Sequence, residues 1–276
     1  MTAADRLLAE FAGYGRTLVA FSGGVDSSVV LAAAARALGA AGVAAVTAVS
    51  PAVPEAEVAA ARDFCAGLGV AHHAVETREL DVAGYRENGP TRCYFCKSTL
   101  LDTALAVAAE RGFDAVATGT NASDVAAGFR PGIRAAAERG ARTPLADAAL
   151  DKQAVRDVAR LWGLVTWDKP AAACLSSRIA YGVAITPSRL ARVERAEAAA
   201  RRLLAGHHVH NLRVRDLGDT VRLEVDAHLV DAAEGDEAVR AAIGAAGFAG
   251  APLVVEPFRS GAMNELLADR EHWRNA

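Results

Sequence analysis

Residues 16–28 read RTLVAFSGGVDSS, and this stretch decides the fold and the chemistry of the chain. Residues 18–21 form an apolar run that is typical of a buried strand, and the Gly23-Gly24 pair follows at once, where the backbone turns tightly. A helix that begins after such a turn exposes its first N–H groups and the positive end of its dipole. The stretch therefore predicts a site for an anion such as phosphate or pyrophosphate.

Polar side chains around this turn extend the predicted anion site. Three serine hydroxyls add hydrogen-bond donors, and the carboxylate of Asp26 can hold a phosphate-bound Mg²⁺. No lysine stands in the loop, so it differs from the GxxxxGK[ST] loop that contacts a γ-phosphate. An ordinary glycine-rich turn is the alternative interpretation. We expect a nucleotide site, and the residues of its first wall are Ser22, Gly23, Gly24, Val25, Asp26, Ser27 and Ser28.

Composition limits the kind of protein. A chain of 276 residues, 52% of them hydrophobic, is long enough for one full core and a smaller module. The net charge of −3 argues against a general nucleic-acid binder, which needs a basic excess to release counterions from phosphates. The N-terminal stretch carries Asp5, Arg6 and Glu10, so it does not resemble a secretory signal peptide, and no uncharged apolar run reaches the roughly 18 residues of a membrane span. We therefore expect a soluble, cytoplasmic protein.

Short apolar runs alternate with helical patterns over the first two thirds of the chain. This alternation predicts the α/β class, with a parallel sheet flanked by helices and ligands beyond the carboxyl ends of its strands. Gly119, Thr120 and Asn121 follow the fourth strand, so we expect them to form a second wall of the nucleotide site; a polar loop of turn-forming residues is the alternative. The elements predicted after the first strand are a helix to about 38, strands at 43–49, 70–75 and 113–117, and helices near 54–68, 98–110 and 152–161.

A different pattern begins at Thr186-Pro187, where Thr suits a helix N-cap and Pro suits the first turn. Two alternating runs then flank Gly218-Asp219, which is a hairpin signal. We predict two domains, a nucleotide-binding domain over residues 1–185 and a small α+β module for substrate binding or oligomerisation over residues 186–276. The predicted elements of the module are a helix to about 204, strands at 211–215 and 221–225, a helix near 237–246 and a strand near 252–256.

Four cysteines are too few for a disulfide scaffold in a chain of this length, so each needs its own interpretation. Cys65 lies on a helical apolar face and is predicted to be an inert core residue. Cys93 and Cys96 form a CxxC motif, whose spacing lets two thiols approach each other, one metal ion or one cluster iron. Disulfide chemistry, a structural zinc half-site and coincidence all stay open for this motif.

Two further places in the sequence combine a reactive or anion-binding group with positive charge. Cys174 follows Lys169 and precedes Arg178 by four residues, and such charge stabilises a thiolate; a buried cysteine in a connector is the alternative. Arg213 and Arg215 alternate on a predicted strand and so share one face. This pair can clamp a phosphate or a carboxylate, and a solvated strand face is the alternative.

Five motifs together resemble those of the LarE family, ATP-dependent sulfur transferases within the N-type ATP pyrophosphatase superfamily. The resemblance covers nearly the whole chain, from about residue 2 to about residue 260, and its most discriminating segment surrounds Cys174. The motifs are SGGVDSS at 22–28, RCYFCK at 92–97, TGTN at 118–121, FRPGIRAA at 129–136 and TWDKPAAACLSSRIAYG at 166–182.

This resemblance implies the PP-loop fold of adenine nucleotide α-hydrolases, with ATP and Mg²⁺ as cofactors. ATP would adenylate the carboxylates of pyridinium-3,5-biscarboxylic acid mononucleotide, and each activated carbonyl would accept sulfur to give a thiocarboxylate. AMP is a good leaving group, which makes an otherwise unreactive carboxylate electrophilic. The product leads to the nickel-pincer nucleotide cofactor of lactate racemase. The implied partners are other enzymes of that synthesis and further copies of this chain, with neither nucleic acid nor a membrane among them.

The resemblance leaves two sulfur sources open. In the first, the Cys174 thiolate displaces AMP and then loses its sulfur, leaving dehydroalanine on the protein. In the second, Cys93, Cys96 and Cys174 hold a [4Fe-4S] cluster whose remaining iron carries the sulfide that is delivered. The residues that the resemblance implies are Cys174, Asp26 and Arg178 for catalysis and Arg213, Arg215 and Glu197 for substrate binding.

Two rival functions are compatible with the same loop. A tRNA thiolation enzyme of the superfamily also combines CxxC with a distant cysteine, although the net charge of −3 and the lack of a basic RNA-binding extension argue against it. A non-catalytic ATP sensor is the rival from another class, but Asp26 and the paired serines favour metal-assisted pyrophosphate chemistry. Pyrophosphate release with ATP, Mg²⁺ and substrate separates an enzyme from a sensor.

Overall fold

The chain divides into two units in the computed structural model, which describes residues 1–128, 130–170, 174–259 and 263. The first unit contains residues 1–82 and 91–170, and the second contains residues 83–90, 174–259 and 263. This division differs from the predicted boundary after residue 185. Residues 83–90 form hydrogen bonds with residues 176–185. Both segments lie in the second unit.

The predicted strands lie within about two residues of their expected bounds, and the structure adds short helices that were not predicted. The strands are β1 (Thr17–Ala20), β2 (Val43–Val49), β3 (Ala71–Glu76), β4 (Ala115–Ala117), β5 (Leu212–Asp216), β6 (Val221–Val225) and β7 (Leu253–Pro257). The helices are α1 (Ala3–Glu10), α2 (Val25–Leu38), α3 (Glu55–Gly67), α4 (Ala83–Arg86), α5 (Arg92–Arg111), α6 (Ala122–Ala126), α7 (Pro131–Glu138), α8 (Pro144–Asp147), α9 (Lys152–Leu161), α10 (Pro187–Leu203), α11 (Val230–Gly235) and α12 (Glu237–Ile243).

The sheet of the first unit is parallel and has the strand order β3-β2-β1-β4. Thr17 at the start of β1 pairs with Val43 on one side and with Ala115 on the other. All residues of β1 are buried, which is typical of a central parallel strand. The predicted α/β class with a parallel sheet is confirmed.

Side chains of β1 alternate between two apolar clusters, one on each face of the sheet. Val19 belongs to a cluster with residues of α1, α2, α3 and α9, whereas Leu18 belongs to a cluster with residues of α5 and α7. Because strand side chains point alternately to opposite faces, helices cover both sides of the sheet. Because β1 and β4 are parallel, the loops that follow them emerge at the same end of the sheet.

The second unit contains a sheet of order β5-β6-β7 with α10 packed against β5. β5 and β6 form the predicted antiparallel hairpin, and β7 pairs parallel to β6. The turn closes through Leu217 N, which donates to Thr220 O at 2.9 Å, and Gly218 adopts a positive φ of 96° that few other residues tolerate. Every residue of β5 is buried, so Arg213 and Arg215 do not lie on a solvated strand face.

Within residues 1–128, 130–170, 174–259 and 263, no helix combines the length and apolar character needed to cross a membrane.

Candidate active site

Residues 22–28, which we call the glycine loop, join β1 to α2. Gly23 has a φ of 70°, and the extended Gly24 is the N-cap of α2 without any capping side chain. The N–H groups of the first helical turn are therefore not occupied by a side-chain acceptor from the cap. Because α2 is 14 residues long, its dipole adds positive potential at this end. The local geometry matches an anion-binding helix start.

The loop serines differ in what they contact. Ser27 Oγ lies 3.1 Å from Ser22 Oγ and donates to Gly24 O at 3.1 Å, so it braces the turn. Ser22 is exposed, whereas Ser28 is fully buried and its Oγ has no hydrogen-bond partner within the described residues. Ser22 is thus the loop hydroxyl most accessible to a ligand.

Asp26 sits in the first turn of α2 with its carboxylate largely shielded from water. Burial raises its pKa, and the nearby negative charge of Asp124 raises it further, while a hydrogen bond from Asn121 opposes both. Asn121 Nδ2 donates to Asp26 Oδ1 at 2.9 Å. A shielded carboxylate oxygen beside an anion site is a suitable ligand for Mg²⁺, because a cation offsets the charge that burial disfavours.

The loop after β4 approaches the start of α2 very closely. A Cβ on Gly119 would lie only 2.8 Å from Ser27 N, so no larger residue fits there without moving the backbone. Asn121 follows as the N-cap of α6, and its side chain accepts from Asp124 N at 2.9 Å. The structure therefore brings Gly119 and Asn121 together with the glycine loop, as expected for two walls of one site.

Lys169 supplies the cation that the glycine loop lacks in sequence. Its Nζ donates to Gly23 O at 3.0 Å and to Glu57 Oε2 at 2.6 Å. In the sequence, Lys169 stands near Cys174 and is 146 positions away from Gly23, so no local pattern predicts this contact. The lysine lies at a loop that we expect to hold phosphates, where a positive charge offsets the charge of an anion.

The CxxC motif lies inside α5 rather than ahead of it, because this helix begins six residues before its predicted start. Cys93 is exposed and Cys96 is half-buried, one turn apart near the helix N-terminus. Arg92 Nη2 lies 3.9 Å from Cys93 Sγ, and burial lowers the pKa of the neighbouring Lys97. Across the described part of the chain, no three His, Cys, Asp or Glu side chains form a ready-made metal site. The spacing of the two thiols allows a shared metal or cluster iron, and it allows a disulfide as well.

Cys174 begins residues 174–185, which we call the Cys174 segment. The residue is half-buried, and its carbonyl oxygen accepts from Ser177 Oγ at 2.7 Å and from Arg178 Nη1 at 3.1 Å. Arg178 in turn contacts both carboxylate oxygens of Glu197, at 2.9 and 3.4 Å. The described contacts of Arg178 thus hold the backbone at Cys174, and an effect of its charge on the thiolate stays a prediction. Residues 171–173 lie outside the described residues.

Cys65 occupies the interior of the first unit, as predicted. It is fully buried in the cluster beneath α2, and burial raises the pKa of its thiol to about 11. A thiol that stays protonated and out of reach of solvent is inert. The structure therefore separates Cys65 from the three cysteines considered for chemistry.

Arg213 and Arg215 lie in a buried group of charges on β5. Arg215 donates to Glu224 Oε2 at 3.0 and 2.7 Å and to Ser177 O at 3.1 Å. Burial lowers the pKa of Arg213 to about 10, and the nearby charge of Arg178 lowers it further. The charged side chains near Arg213 include Arg178, Arg201 and Glu197, and Glu224 pairs with Arg215. Guanidiniums grouped in this way are suited to bind an anion.

The chain is similar to known proteins along nearly its whole length. A family model described as asparagine synthase matches residues 15–227. The uncharacterized protein slr1717 from Synechocystis sp. is 40% identical over 255 residues, 91% of this chain and 93% of that protein. The pyridinium-3,5-bisthiocarboxylic acid mononucleotide synthase of Lactiplantibacillus plantarum is 33% identical over 253 residues, 91% of this chain and 90% of that protein. The uncharacterized protein MJ0830 from Methanocaldococcus jannaschii is 28% identical over 143 residues, 52% of this chain and 54% of that protein.

Proposed function

Because the chain belongs to the asparagine synthase family of PP-loop domains and to the LarE family of ATP-using enzymes, we propose that it transfers sulfur to the carboxylates of pyridinium-3,5-biscarboxylic acid mononucleotide. Its membership of the LarE family follows from its relatedness to the bisthiocarboxylic acid mononucleotide synthase. The relative's name describes a bisthiocarboxylate product, which implies this biscarboxylate as the substrate. The enzyme would act in the cytoplasm in synthesis of the nickel-pincer cofactor.

The first step forms an acyl adenylate. A substrate carboxylate oxygen attacks the α-phosphorus of ATP, and the bond to the β-phosphate breaks to release pyrophosphate. The N–H groups at the start of α2, the Ser22 hydroxyl and Lys169 would bind the departing phosphates. Mg²⁺ held by Asp26 would offset charge on those oxygens, and Gly119, Thr120 and Asn121 would form the opposite wall.

The second step delivers sulfur from position 174. If Cys174 is the donor, its thiolate attacks the acyl carbon, AMP leaves and a thioester forms. Removal of the Cys174 α-proton then breaks the Cβ–S bond, so the sulfur and its electron pair stay on the substrate as thiocarboxylate and dehydroalanine stays on the protein. A second round on a fresh enzyme converts the other carboxylate.

A [4Fe-4S] cluster is the other proposed source of sulfur. Cys93 and Cys96 would supply two ligands from α5, and Cys174 would supply the third. Such a cluster, when bound, provides sulfide on the iron that has no protein ligand. In this version Cys174 survives turnover, because it is a ligand and not the donor.

The substrate phosphate would bind in the second unit. Arg213 and Arg215 lie on one strand, and their guanidiniums have the charge and the donor geometry that suit a phosphate monoester. Glu197 would act by holding Arg178, and Arg178 by fixing the backbone at Cys174. The observation that carries the whole proposal is Cys174 itself: a half-buried thiol whose own backbone is anchored by a buried ion pair, in a chain with a PP loop.

The experiment is an intact-mass measurement on protein purified without oxygen and incubated with ATP, Mg²⁺ and the biscarboxylate mononucleotide. We expect pyrophosphate, AMP and thiocarboxylate product. A loss of about 34 Da from the protein, one H₂S, identifies Cys174 as the donor, whereas an unchanged polypeptide with iron–sulfur absorbance identifies the cluster. Thiolation of tRNA without reaction of the mononucleotide would refute the proposal, and so would ATP binding without any pyrophosphate release.

A further inference from the structure

Residues 83–90, which we call the strap, come immediately before the CxxC helix in sequence but belong to the second unit. The strap contains α4 and ends at Pro90. Its hydrogen bonds go to the Cys174 segment, which lies about ninety positions further along the chain. Neither the glycine loop nor the proposed chemistry requires this connection, so it calls for a separate explanation.

Asn88 is the centre of the strap's contacts. Its side chain is fully buried, and Nδ2 donates to Ala180 O at 2.8 Å, to Val183 O at 2.9 Å and to Ile179 O at 3.3 Å. Its backbone has a φ of 55°, in the left-handed region that asparagine tolerates better than most residues. The position therefore uses both the amide donors and the conformational tolerance of asparagine.

Two more contacts attach the strap near Cys174. The Tyr85 hydroxyl contacts Ser176 Oγ, and both side chains are fully buried. Gly182 N donates to Asn88 O at 3.2 Å, which adds a backbone bond to those of the amide. With Arg178 holding the carbonyl of residue 174, the segment is tied at its beginning and along its length.

We propose that Asn88 is a positioning residue for the sulfur-bearing residue 174. It touches no substrate; it acts by holding the backbone of the Cys174 segment, so that the sulfur stays aligned with the activated carbonyl. This inference rests on the proposed function and holds whether Cys174 is donor or cluster ligand. Alignment matters because a displacement of about 1 Å at a reacting group costs roughly 100-fold in rate.

The test is the substitution Asn88→Asp. Aspartate has the same size and also tolerates a positive φ, but it places carboxylate oxygens against carbonyl oxygens that require donors. We expect pyrophosphate release within about twofold of wild type, and sulfur transfer lowered by roughly 10- to 100-fold. We also expect iodoacetamide to alkylate Cys174 faster in the variant, followed by mass spectrometry of the Cys174 peptide, because the loosened segment exposes the thiol.

Two further variants keep the result interpretable. Asp236 caps a helix of the same unit, and its side chain accepts from Ala238 N at 2.8 Å. Asp236→Ala removes this cap without changing the strap, so pyrophosphate release, sulfur transfer and the alkylation rate should stay unchanged. Tyr85→Phe keeps the buried ring and removes only the hydroxyl contact with Ser176. It should change sulfur transfer in the same direction as Asn88→Asp but less, and it replaces that variant if Asn88→Asp does not fold.

Two outcomes would overturn the proposal: equal losses of pyrophosphate release and sulfur transfer, or wild-type sulfur transfer with an unchanged alkylation rate. Failure of the proposed function is a separate result, since it means that the wild-type enzyme itself forms no thiocarboxylate. In that case the alkylation rates alone decide whether Asn88 positions Cys174.

Discussion

The glycine loop and the Cys174 segment are held in place by different means. The loop is shaped by glycine geometry, by Ser27 bracing its own turn and by the close approach of Gly119. The Cys174 segment is held by its own Arg178, which pairs with Glu197 of α10, and by Asn88 of the strap. The loop should therefore be sensitive to added bulk, whereas the segment should be sensitive to the loss of one partner in a buried pair.

Cys174→Ala gives the largest expected effect and separates the two regions. Sulfur transfer should fall to background because position 174 no longer carries a sulfur, while ATP-dependent pyrophosphate release continues. Product mass and pyrophosphate are measured in the same reaction. Cys65→Ala is the control, since this buried thiol takes no part and its variant should keep full sulfur transfer. A normal yield of product from Cys174→Ala would contradict the assignment of Cys174.

Glu197→Gln should show how strongly the Cys174 segment depends on a buried ion pair. It leaves the Arg178 guanidinium buried without its carboxylate, which should lower the free energy of unfolding by about 3–5 kcal/mol in urea denaturation. The matched control is Glu256→Gln, whose pair with Arg222 is more exposed and should contribute less than about 1 kcal/mol. Equal losses from both variants would mean that the buried pair has no special role.

Gly119→Ala tests the opposite dependence, on space at the glycine loop. The added Cβ would meet Ser27 N at 2.8 Å, so the loop must shift, and we expect pyrophosphate release to fall by roughly 100-fold. Gly67→Ala adds the same methyl group where nothing lies within 4 Å and should leave the rate unchanged. If Gly119→Ala released pyrophosphate at the wild-type rate, the glycine loop and the loop after β4 would have to lie farther apart in the working enzyme than in the structure.

Lys169→Met removes the cation that contacts Gly23 O in the glycine loop. Loss of its contacts with Gly23 O and Glu57 should raise the apparent KM for ATP by about tenfold, or about 1.4 kcal/mol. The double variant Lys169→Met with Glu57→Gln should lose less free energy of ATP binding than the sum of the two single variants, because the two residues interact directly. Strict additivity, measured by steady-state kinetics, would argue that the contact does not affect nucleotide binding.

Asp26→Asn should give the smallest of the expected changes in stability. Because burial raises the pKa of Asp26 in the folded protein, the folded state binds this proton more readily than the unfolded chain does. The charged carboxylate therefore costs stability above its folded pKa, and this cost disappears as the pH falls through that value towards the unfolded value near 3.8. Asp26→Asn should melt at a higher temperature than wild type at pH 7, and the difference should shrink in acid. A lower Tm at pH 7 would contradict this.

Local patterns were sufficient for much of the fold. The apolar run of β1, the glycines after it and the hairpin signal at Gly218 each depend on a few neighbouring residues, and each lies where it was predicted. α5 begins six residues before its predicted start, so its first turns contain the CxxC motif. The domain boundary also differed from its prediction, since the strap joins the second unit through hydrogen bonds that no local pattern reveals.

The candidate site was predictable to a different extent in its two regions. Residues 22–28 and 119–121 could be named from their positions after two strands, because parallel strands bring their carboxyl ends together. Lys169 and Asn88 could not be placed, as their partners are 146 and 92 positions away. The roles of Cys174, Arg213 and Arg215 in sulfur transfer are predictions from the motifs that surround them.

The amino-acid order alone determined the strand–turn–helix that can bind an anion, the parallel sheet behind it and the cysteines that are candidates for chemistry, because these depend on backbone preferences and on side-chain chemistry that act over a few residues. Tertiary structure decided which charges are buried together, which lysine reaches Gly23 and what holds the backbone at residue 174. Burial and pairing depend on residues that only the folded chain brings within hydrogen-bond distance, so no local pattern can specify them.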